Sequence, residues 1–224
     1  MNMKWMLGIS LLGLSLPAMA NQDLVPYVGA DAKWNNMDFK RSAGGNVLPK
    51  NYPQGNLFGG VRFNECVAVE VGYETTTKRY RTAAVPADAE FFGLITVSPL
   101  STKTKTKISG FHANIVGFYP VMEEYCLSLF GSIGLANLKL RSHLDFTAPP
   151  EPDILEANFS KRKVVPRITL GVQHMLNGCL GIRAMAAWEN TSAFKKVRTN
   201  DATALFMKPK DSRSLGIGIF FNFK

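Results

Sequence analysis

The side chains of this sequence that could act as nucleophile and base are few. Its three histidines are His112, His143 and His174, and only His143 has a serine beside it, Ser142. Nucleophilic hydrolysis needs a hydroxyl or thiol and a base that meet in one patch. Neighbouring residues of an extended segment point to opposite faces, so Ser142 and His143 do not form such a pair. We therefore expect no catalytic residues and no enzymatic activity.

The three cysteines, Cys66, Cys126 and Cys179, have equivalent positions, each at the start of a predicted strand that follows a tight turn. An odd number leaves at least one thiol unpaired within a monomer. The strands concerned are not predicted neighbours, which disfavours disulfides, and no histidine lies at the same level to complete a metal site. Alternation places the three thiols inward at one rim, where we expect small apolar fillers and no metal or cofactor.

These residues belong to segments in which apolar side chains alternate with small or polar ones. In the C-terminal segment 214–224, the residues of one face are all apolar, because side chains alternate with a period of two: Leu215, Ile217, Ile219, Phe221 and Phe223. The opposite face is mostly small or polar, with Phe220 as the exception. Such a strand suits a soluble sandwich, or a wall with lipid on one side and a lumen on the other.

The same alternation predicts eight strands, at about 27–34, 57–64, 67–74, 107–119, 127–136, 167–173, 180–189 and 214–223. Tight turns alternate with long connections at about 35–54, 75–106, 141–161 and 190–211. Transmembrane barrels place short turns in the periplasm and long loops outside, whereas a soluble barrel has no reason to do so. We therefore predict an all-β fold, an eight-stranded antiparallel up-and-down transmembrane β-barrel with four long extracellular loops and short periplasmic turns. The last strand should pair with the first around 28–34.

Residues 1–20 have the pattern of a secretory signal peptide. Lys4 supplies a positive charge, residues 5–16 form an apolar core, and residues 17–20 end in the small-x-small pattern of a cleavage site. The apolar core is too short for a membrane helix, which needs about 20 residues. We expect cleavage before Asn21, so that residues 21–224 form one barrel domain.

Lys and Arg outnumber Asp and Glu by 26 to 17. Such an excess suits nucleic acid, an anionic membrane surface or another polyanion, and export argues against nucleic acid. The second and fourth predicted loops carry part of the excess, at Lys78, Arg79, Arg81, Lys103, Lys105, Lys195, Lys196, Arg198, Lys208 and Lys210. We expect these residues to contact outer-membrane lipid and lipopolysaccharide; an ordinary solvated basic surface is the alternative.

Several polar side chains would point into the lumen of such a barrel: Asp31, Lys33, Arg62, Glu70, Asn114, Arg167, Gln173, Arg183 and Glu189. Eight strands enclose a space that side chains alone can fill, and buried charges need partners. We expect an ion-pair network of Arg62, Glu70 and Arg183. The network would either plug the lumen or line a narrow conductance path.

Three stretches resemble OmpA-like and opacity-type small outer-membrane barrels. The hairpin at 59–73 resembles their second and third strands, and 26–30 is similar to their first strand. Residues 218–223 resemble the terminal signal recognised by the outer-membrane assembly machinery, with Gly218, Phe221 and Phe223 as motif residues; Lys224 departs from the family pattern, which ends on the aromatic. The resemblance implies a barrel-only member in the outer membrane of a Gram-negative bacterium.

The predicted second loop contains an unusual apolar run with Phe91, Phe92, Leu94 and Ile95. This run either folds back on the barrel rim or presents an exposed contact patch. Loops carry the functional variation of a fixed scaffold. We therefore expect a monomeric surface protein with a structural or adhesion-type role and host surface molecules as possible partners. A narrow pore is the first alternative, and a lipopolysaccharide-modifying enzyme is the second.

Overall fold

The computed structural model describes residues 24–39, 48–85, 87, 90–91, 94–95, 99–122, 126–147, 154–194 and 209–223. These residues form eleven strands: β1 (Val25–Phe39), β2 (Asn51–Arg62), β3 (Val67–Thr76), β4 (Arg79–Val85), β5 (Glu90–Phe91), β6 (Leu94–Ile95), β7 (Leu100–Met122), β8 (Leu127–Thr147), β9 (Ile154–Met175), β10 (Leu180–Glu189) and β11 (Pro209–Asn222). A short 3-10 helix, Thr191–Phe194, follows β10. Within the described residues, no helix is long and apolar enough to span a bilayer.

Eight strands form a closed antiparallel ring. Neighbours follow the order β3-β2-β1-β11-β10-β9-β8-β7, and β3 also pairs with β7. Strand β4 continues the wall beyond β3, because it pairs with the preceding segment of β7. The predicted pairing of first and last strands is confirmed, with Val28 opposite Phe221 and Trp34 opposite Leu215. The predicted eight-stranded barrel is therefore confirmed.

Strands β7, β8 and β9 are much longer than predicted, with 23, 21 and 22 residues. The supposed connection at 75–106 contains β4 and the beginning of β7, and that at 141–161 contains the end of β8 and the beginning of β9. These two loop boundaries were wrong. The segment 102–107 alternates threonine and lysine side chains, and its inward members, Thr102, Thr104 and Thr106, are fully buried. The inward face of a strand can therefore be fully buried even when none of its side chains is a large apolar one.

The face of the wall that carries apolar side chains changes along β8. Leu129, Ile133 and Leu135 point out of the barrel and are 46%, 64% and 55% exposed. Farther along the strand, Leu138 and Leu140 point inward and are 2% and 1% exposed. The outer surface is thus apolar on the first part of β8 and polar beyond it. A strand that leaves the hydrocarbon layer for water has this pattern.

Aromatic side chains lie at both ends of the apolar outer band. Those toward the ends of the strands with long connections are Trp34, Tyr73, Phe111 and Trp188, and those toward the tight turns are Tyr119, Phe221 and Phe223. The rings of Tyr73 and Phe111 are paired across β3 and β7, with centroids 4.9 Å apart. Outer-membrane barrels have such aromatic girdles at the two membrane–water interfaces.

The barrel interior consists of three layers, which the inward residues Tyr27, Asp31, Lys33 and Met37 of β1 cross in order. The periplasmic apolar layer contains Tyr27, Phe58, Ala68, Val116, Phe118, Phe130, Met185 and Phe220. Charged and amide side chains form the middle layer. The extracellular apolar layer contains Met37, Leu48, Tyr52, Val85, Ile108, Ala136, Leu138, Leu140, Leu144, Val165 and Phe194.

Candidate functional site

The first ion-pair centre of the middle layer is Arg183 of β10. Its Nε and Nη2 donate to the two carboxylate oxygens of Asp31 on β1, each at 2.8 Å, and its Nη1 donates to Glu70 Oε1 on β3 at 2.8 Å. The guanidinium also lies 3.7 Å from the ring centroid of Phe58. Three strands are thereby joined across the lumen. A planar guanidinium suits this bidentate contact with a carboxylate.

The predicted network of Arg62, Glu70 and Arg183 is only partly brought together. Glu70 and Arg183 are ion-paired, whereas Arg62 lies over the ring of Phe118, 4.3 Å from its centroid. Arg62 Nε has no hydrogen-bond partner among the described residues. The partner that sequence reasoning missed is Asp31. Its inward orientation follows from alternation, but no sequence signal links it to a residue of β10.

Arg167 of β9 forms the second centre. Its Nε donates to Glu189 Oε1 at 2.8 Å, and its Nη2 contacts both Glu189 and Glu74. The three side chains are 2%, 5% and 1% exposed, respectively for Arg167, Glu189 and Glu74. Lys33 is also buried in the layer. Alternation offered a signal for Glu74, because it lies four residues after the inward-facing Glu70 on the same strand.

Neutral side chains add further hydrogen bonds to the first centre of the middle layer. Asn56 donates to Asp31 Oδ2 at 2.8 Å and its amide oxygen lies 2.8 Å from His112 Nε2. His112 Nδ1 in turn lies 3.1 Å from the amide nitrogen of Asn114. Tyr27 donates its hydroxyl hydrogen to Glu70 at 3.1 Å. These hydrogen bonds thus connect Tyr27, Asn56, His112 and Asn114 to the first ion-pair centre.

The charges of the middle layer balance within the described residues. Its four carboxylates, Asp31, Glu70, Glu74 and Glu189, face the cations Lys33, Arg167 and Arg183, with Arg62 at the periplasmic edge. Arg167 and Arg183 are each ion-paired with two of these carboxylates, whereas Lys33 and Arg62 have no ion-pair partner among the described residues. The ion pairs of Arg167 and Arg183 can therefore hold the wall strands in register.

The described histidines do not form a nucleophile–base pair. His143 Nε2 lies 2.8 Å from Asp145 Oδ1 and its Nδ1 lies 2.5 Å from Asn158 Oδ1. Ser142 points to the opposite face, where its hydroxyl lies 2.8 Å from that of Thr106. The prediction that Ser142 and His143 point apart is confirmed. His143 thus contacts a carboxylate and an amide oxygen, on the face of β8 opposite to the Ser142 hydroxyl.

The cysteines lie in the tight turns at the periplasmic end. Cys66 and Cys126 are exposed and Cys179 is partly exposed, all three as free thiols, so they are not enclosed fillers of the rim. Two of them lie in turns of the same geometry: Asn64 Oδ1 accepts a hydrogen bond from Cys66 N at 2.9 Å, and Asn177 Oδ1 accepts one from Cys179 N at 2.9 Å. No group of three metal-ligating side chains occurs in the described part of the chain.

The predicted assembly residues lie on β11 and immediately after it. Phe221 and Phe223 are 42% and 47% exposed on the outer surface, with ring centroids 5.3 Å apart. Gly218 is opposite Asp31 on β1 and Arg183 on β10. A Cβ atom on Gly218 would lie 2.1 Å from Asp31 Oδ1. Gly218 therefore makes room for the first ion-pair centre; Lys224 lies outside the described residues.

The predicted loop patch is described only in part. Phe91 belongs to β5 and pairs with Leu94 of β6, and Glu90 pairs with Ile95, so this part of the connection is a small two-stranded hairpin. Phe92 lies outside the described residues. Of the predicted basic loop residues, Lys195, Lys196, Arg198 and Lys208 also lie outside them, whereas Lys103 and Lys105 belong to β7.

Comparisons with known proteins agree with this architecture. A family model described as "Outer membrane protein beta-barrel domain" matches residues 7–220. No curated protein matches. The solved structure of Neisserial surface protein A (NspA) is similar, with 12% identity over 88% of this chain and 97% of that chain and a TM-score of 0.54. The outer membrane protein OprG from Pseudomonas aeruginosa has 13% identity over 90% of this chain and 96% of that chain, with a TM-score of 0.50.

Proposed function

The chain belongs to the outer membrane protein beta-barrel domain family, and we propose that it is a sealed, non-conducting barrel that presents its extracellular connections for surface interaction. One observation carries this proposal: the charge-balanced middle layer is enclosed between two apolar layers. An eight-stranded barrel is narrow enough for such side chains to fill it. The interior then supplies rigidity, and contact with other molecules is left to the outer and extracellular surfaces.

The extracellular apolar layer supports the sealed lumen more strongly than the ion pairs do. Tyr52 and Leu48 have no exposed surface, and Leu138, Leu140 and Phe194 are at most 2% exposed. A hydrated ion would have to displace these side chains, since a polar solute is not stable in an apolar enclosure. The proposal therefore does not depend on how firmly each ion pair is held.

Planar-bilayer recording of the purified chain tests the seal. We expect no stepwise current, because neither apolar layer contains a water-filled passage in this account. Insertion into vesicles, checked by protection of the transmembrane strands from protease, controls for protein that has failed to enter the bilayer. Reproducible current steps from inserted protein would favour a narrow pore instead.

The length of the wall beyond the apolar outer band supports a surface-interaction role. Strands β7 to β9 continue past Phe111 and Leu135 and carry the connections away from the membrane. We propose that the apolar run Phe91, Phe92, Leu94 and Ile95 contributes contacts to host surface molecules. Cell binding by the intact protein should fall when these residues are changed to serine. Equal binding would show that the apolar run does not contribute to contact with host cells. The matched control is Thr82→Ser with Ala84→Ser in β4.

A lipid-modifying activity has little support, because the Ser142 hydroxyl contacts Thr106 inside the barrel whereas His143 lies on the opposite face of β8. We propose that the chain is not an enzyme. We also assign residues 1–20 to a cleaved signal peptide and residues 21–224 to the barrel in the Gram-negative outer membrane. N-terminal sequencing of the protein from purified outer membranes should begin at Asn21; a retained Met1 would contradict the assignment.

A further inference from the structure

Five cations form a patch on the outer surface of β7, β8 and β9, which we term the basic wall: Lys105, Lys107, Lys139, Arg141 and Arg162. Their outward orientation follows from their neighbours, because the intervening residues Thr106, Ile108 and Leu140 are buried inside the barrel. Arg141 and Arg162 are exposed, and the three lysines are partly exposed. The patch is formed by regular strand residues rather than by loops.

The basic wall lies where the outer surface changes from apolar to polar. On β8 the last apolar outward residue is Leu135, and Lys139 follows two outward positions later. On β9, Arg162 is the next outward residue after the exposed Val164. On β7, Lys107 lies two outward positions beyond Phe111. The cations therefore lie at the level at which lipid head groups meet acyl chains.

The strand register places like charges directly opposite each other. Lys107 is paired with Arg141 across β7 and β8, and Lys139 is paired with Arg162 across β8 and β9. Directly opposed like charges destabilise a sheet. No member of the basic wall has an ion-pair partner among the described residues, and the nearby Asp145 is engaged with His143.

Arg213 on β11 provides the contrast within the same barrel. It is an outward-facing arginine next to the girdle residue Trp188, and its Nη2 lies 3.3 Å from Asp211 Oδ2. An isolated cation of this chain thus has its own carboxylate, whereas the clustered cations of the basic wall do not. The unfavourable arrangement becomes favourable when an external anion lies between the paired cations.

We propose that the basic wall is a binding site for the phosphate groups of lipid A, the membrane anchor of lipopolysaccharide. A phosphate between Lys107 and Arg141, or between Lys139 and Arg162, would accept charge-assisted hydrogen bonds from both side chains. The acyl chains of the same molecule would lie on the apolar surface below, beside Ile133 and Leu135. A soluble polyanion would use the cations but not this apolar surface, which favours the lipid as occupant. The inference rests on the outer-membrane location in the proposed function.

The test uses the full mature chain in phosphatidylcholine nanodiscs with added lipid A. We expect diphosphorylated lipid A to bind the wild-type protein, dephosphorylated lipid A to bind at least ten times more weakly, and a K107Q/K139Q/R141Q/R162Q variant to lose the same preference. The R213Q variant should bind as the wild type does. In phosphatidylcholine alone, the quadruple variant should unfold at an unchanged or higher temperature, because the like-charge repulsion is gone; this also verifies that it folds.

Two results would overturn the proposal. Equal binding of phosphorylated and dephosphorylated lipid A to the wild-type protein would show that the phosphates are not recognised. Heparin serves as the probe for a soluble polyanion. If the quadruple variant lost heparin binding but kept lipid A binding, the ligand of the basic wall would be a soluble polyanion and not lipid A. Conductance of the same protein after transfer to planar bilayers separates the lipid A site from the sealed lumen. Current steps together with intact selectivity for phosphorylated lipid A would reject only the sealed lumen.

Discussion

At the scale of the residue, the interior is organised by two arginines that each hold two carboxylates. Arg183 joins Asp31 to Glu70, and Arg167 joins Glu74 to Glu189. A buried ion pair adds little net stability, because desolvation offsets much of the attraction between the charges. Its loss is costly for a different reason, since the remaining charge stays buried without a partner.

Replacement of Arg183 by glutamine should therefore destabilise the protein strongly. It leaves two carboxylates unpaired in the middle layer, and we expect a loss of about 3–5 kcal/mol in the free energy of unfolding. Urea unfolding in phosphatidylcholine vesicles, followed by tryptophan fluorescence, measures the change. Arg213→Gln removes the exposed pair with Asp211 and should cost about 0.2–1 kcal/mol. A loss for Arg183→Gln no larger than this control would contradict the assigned role.

Gly218 has two explanations that a single substitution can separate. If Gly218 is needed only as part of the assembly signal, its replacement affects insertion in the cell alone. If Gly218 is needed for packing, its replacement also lowers the stability of the purified protein. A Cβ atom at Gly218 would lie 2.7 Å from Ala30 O as well as close to Asp31, so Gly218→Ala should cost about 1–3 kcal/mol by overpacking. Gly117→Ala is the control, because its Cβ would approach no atom closer than 3.9 Å. Equal stability of both variants in vitro would leave the assembly signal as the explanation.

The sequence allows the inward residues to be predicted but not their partners. Alternation alone places Asp31, Glu70 and Arg183 in the lumen. Which of them meet depends on the stagger of the strands around the ring, and Asp31 and Arg183 are 152 positions apart in the chain. The same limit explains Arg62, whose inward position is consistent with the pattern but whose neighbour is the Phe118 ring.

At the scale of the element, β8 contains two kinds of strand in one. Its first part has apolar residues outside, and its second part has them inside. The predicted strand ends at residue 136, beyond which the outward side chains are no longer apolar. The period of two in fact continues through Lys139, Leu140, Arg141 and Ser142. A reversal of the apolar face with the period preserved is the signal that would have extended the strand.

The inward leucines of this second part should behave as core residues of a soluble protein. Leu140 is 1% exposed in the extracellular apolar layer, so Leu140→Ala should cost about 2–5 kcal/mol through the cavity that it leaves. On the outer face, the adjacent Lys139→Ala should change the free energy of unfolding by at most about 0.5 kcal/mol in phosphatidylcholine that contains no lipid A. Unfolding in phosphatidylcholine vesicles compares the two. Similar small effects would mean that this part of β8 is not packed as described.

At the scale of the whole molecule, the strands and the order of their neighbours were predictable, whereas the contacts inside the closed ring were not. The strand rhythm and the turns near Asn64 and Asn177 follow from local pattern, and the pairing of the first and last strands follows from the prediction of a barrel. The extracellular apolar layer was not foreseen. It brings Tyr52 of β2, Leu140 of β8 and Phe194 of the 3-10 helix together only after the ring has closed.

The outer wall of β8 has one boundary, between Leu135 and Lys139, at which its outward side chains change from apolar to polar. Below it the surface of β8 faces lipid, and above it the same face meets head groups and water. The extracellular role of the connections and the lipid A site at the basic wall both depend on the position of this boundary between Leu135 and Lys139.

A depth scan along β8 tests this boundary most directly. Single cysteines at Ile133, Leu135, Asn137, Lys139 and Arg141, in a chain with Cys66, Cys126 and Cys179 changed to serine, would carry an environment-sensitive fluorophore in phosphatidylcholine nanodiscs. We predict quenching by lipid-attached quenchers at Ile133 and Leu135, a transition at Asn137, and quenching by a water-soluble quencher at Lys139 and Arg141. Lipid-type quenching at all five positions, or water-type quenching at Ile133, would contradict the account.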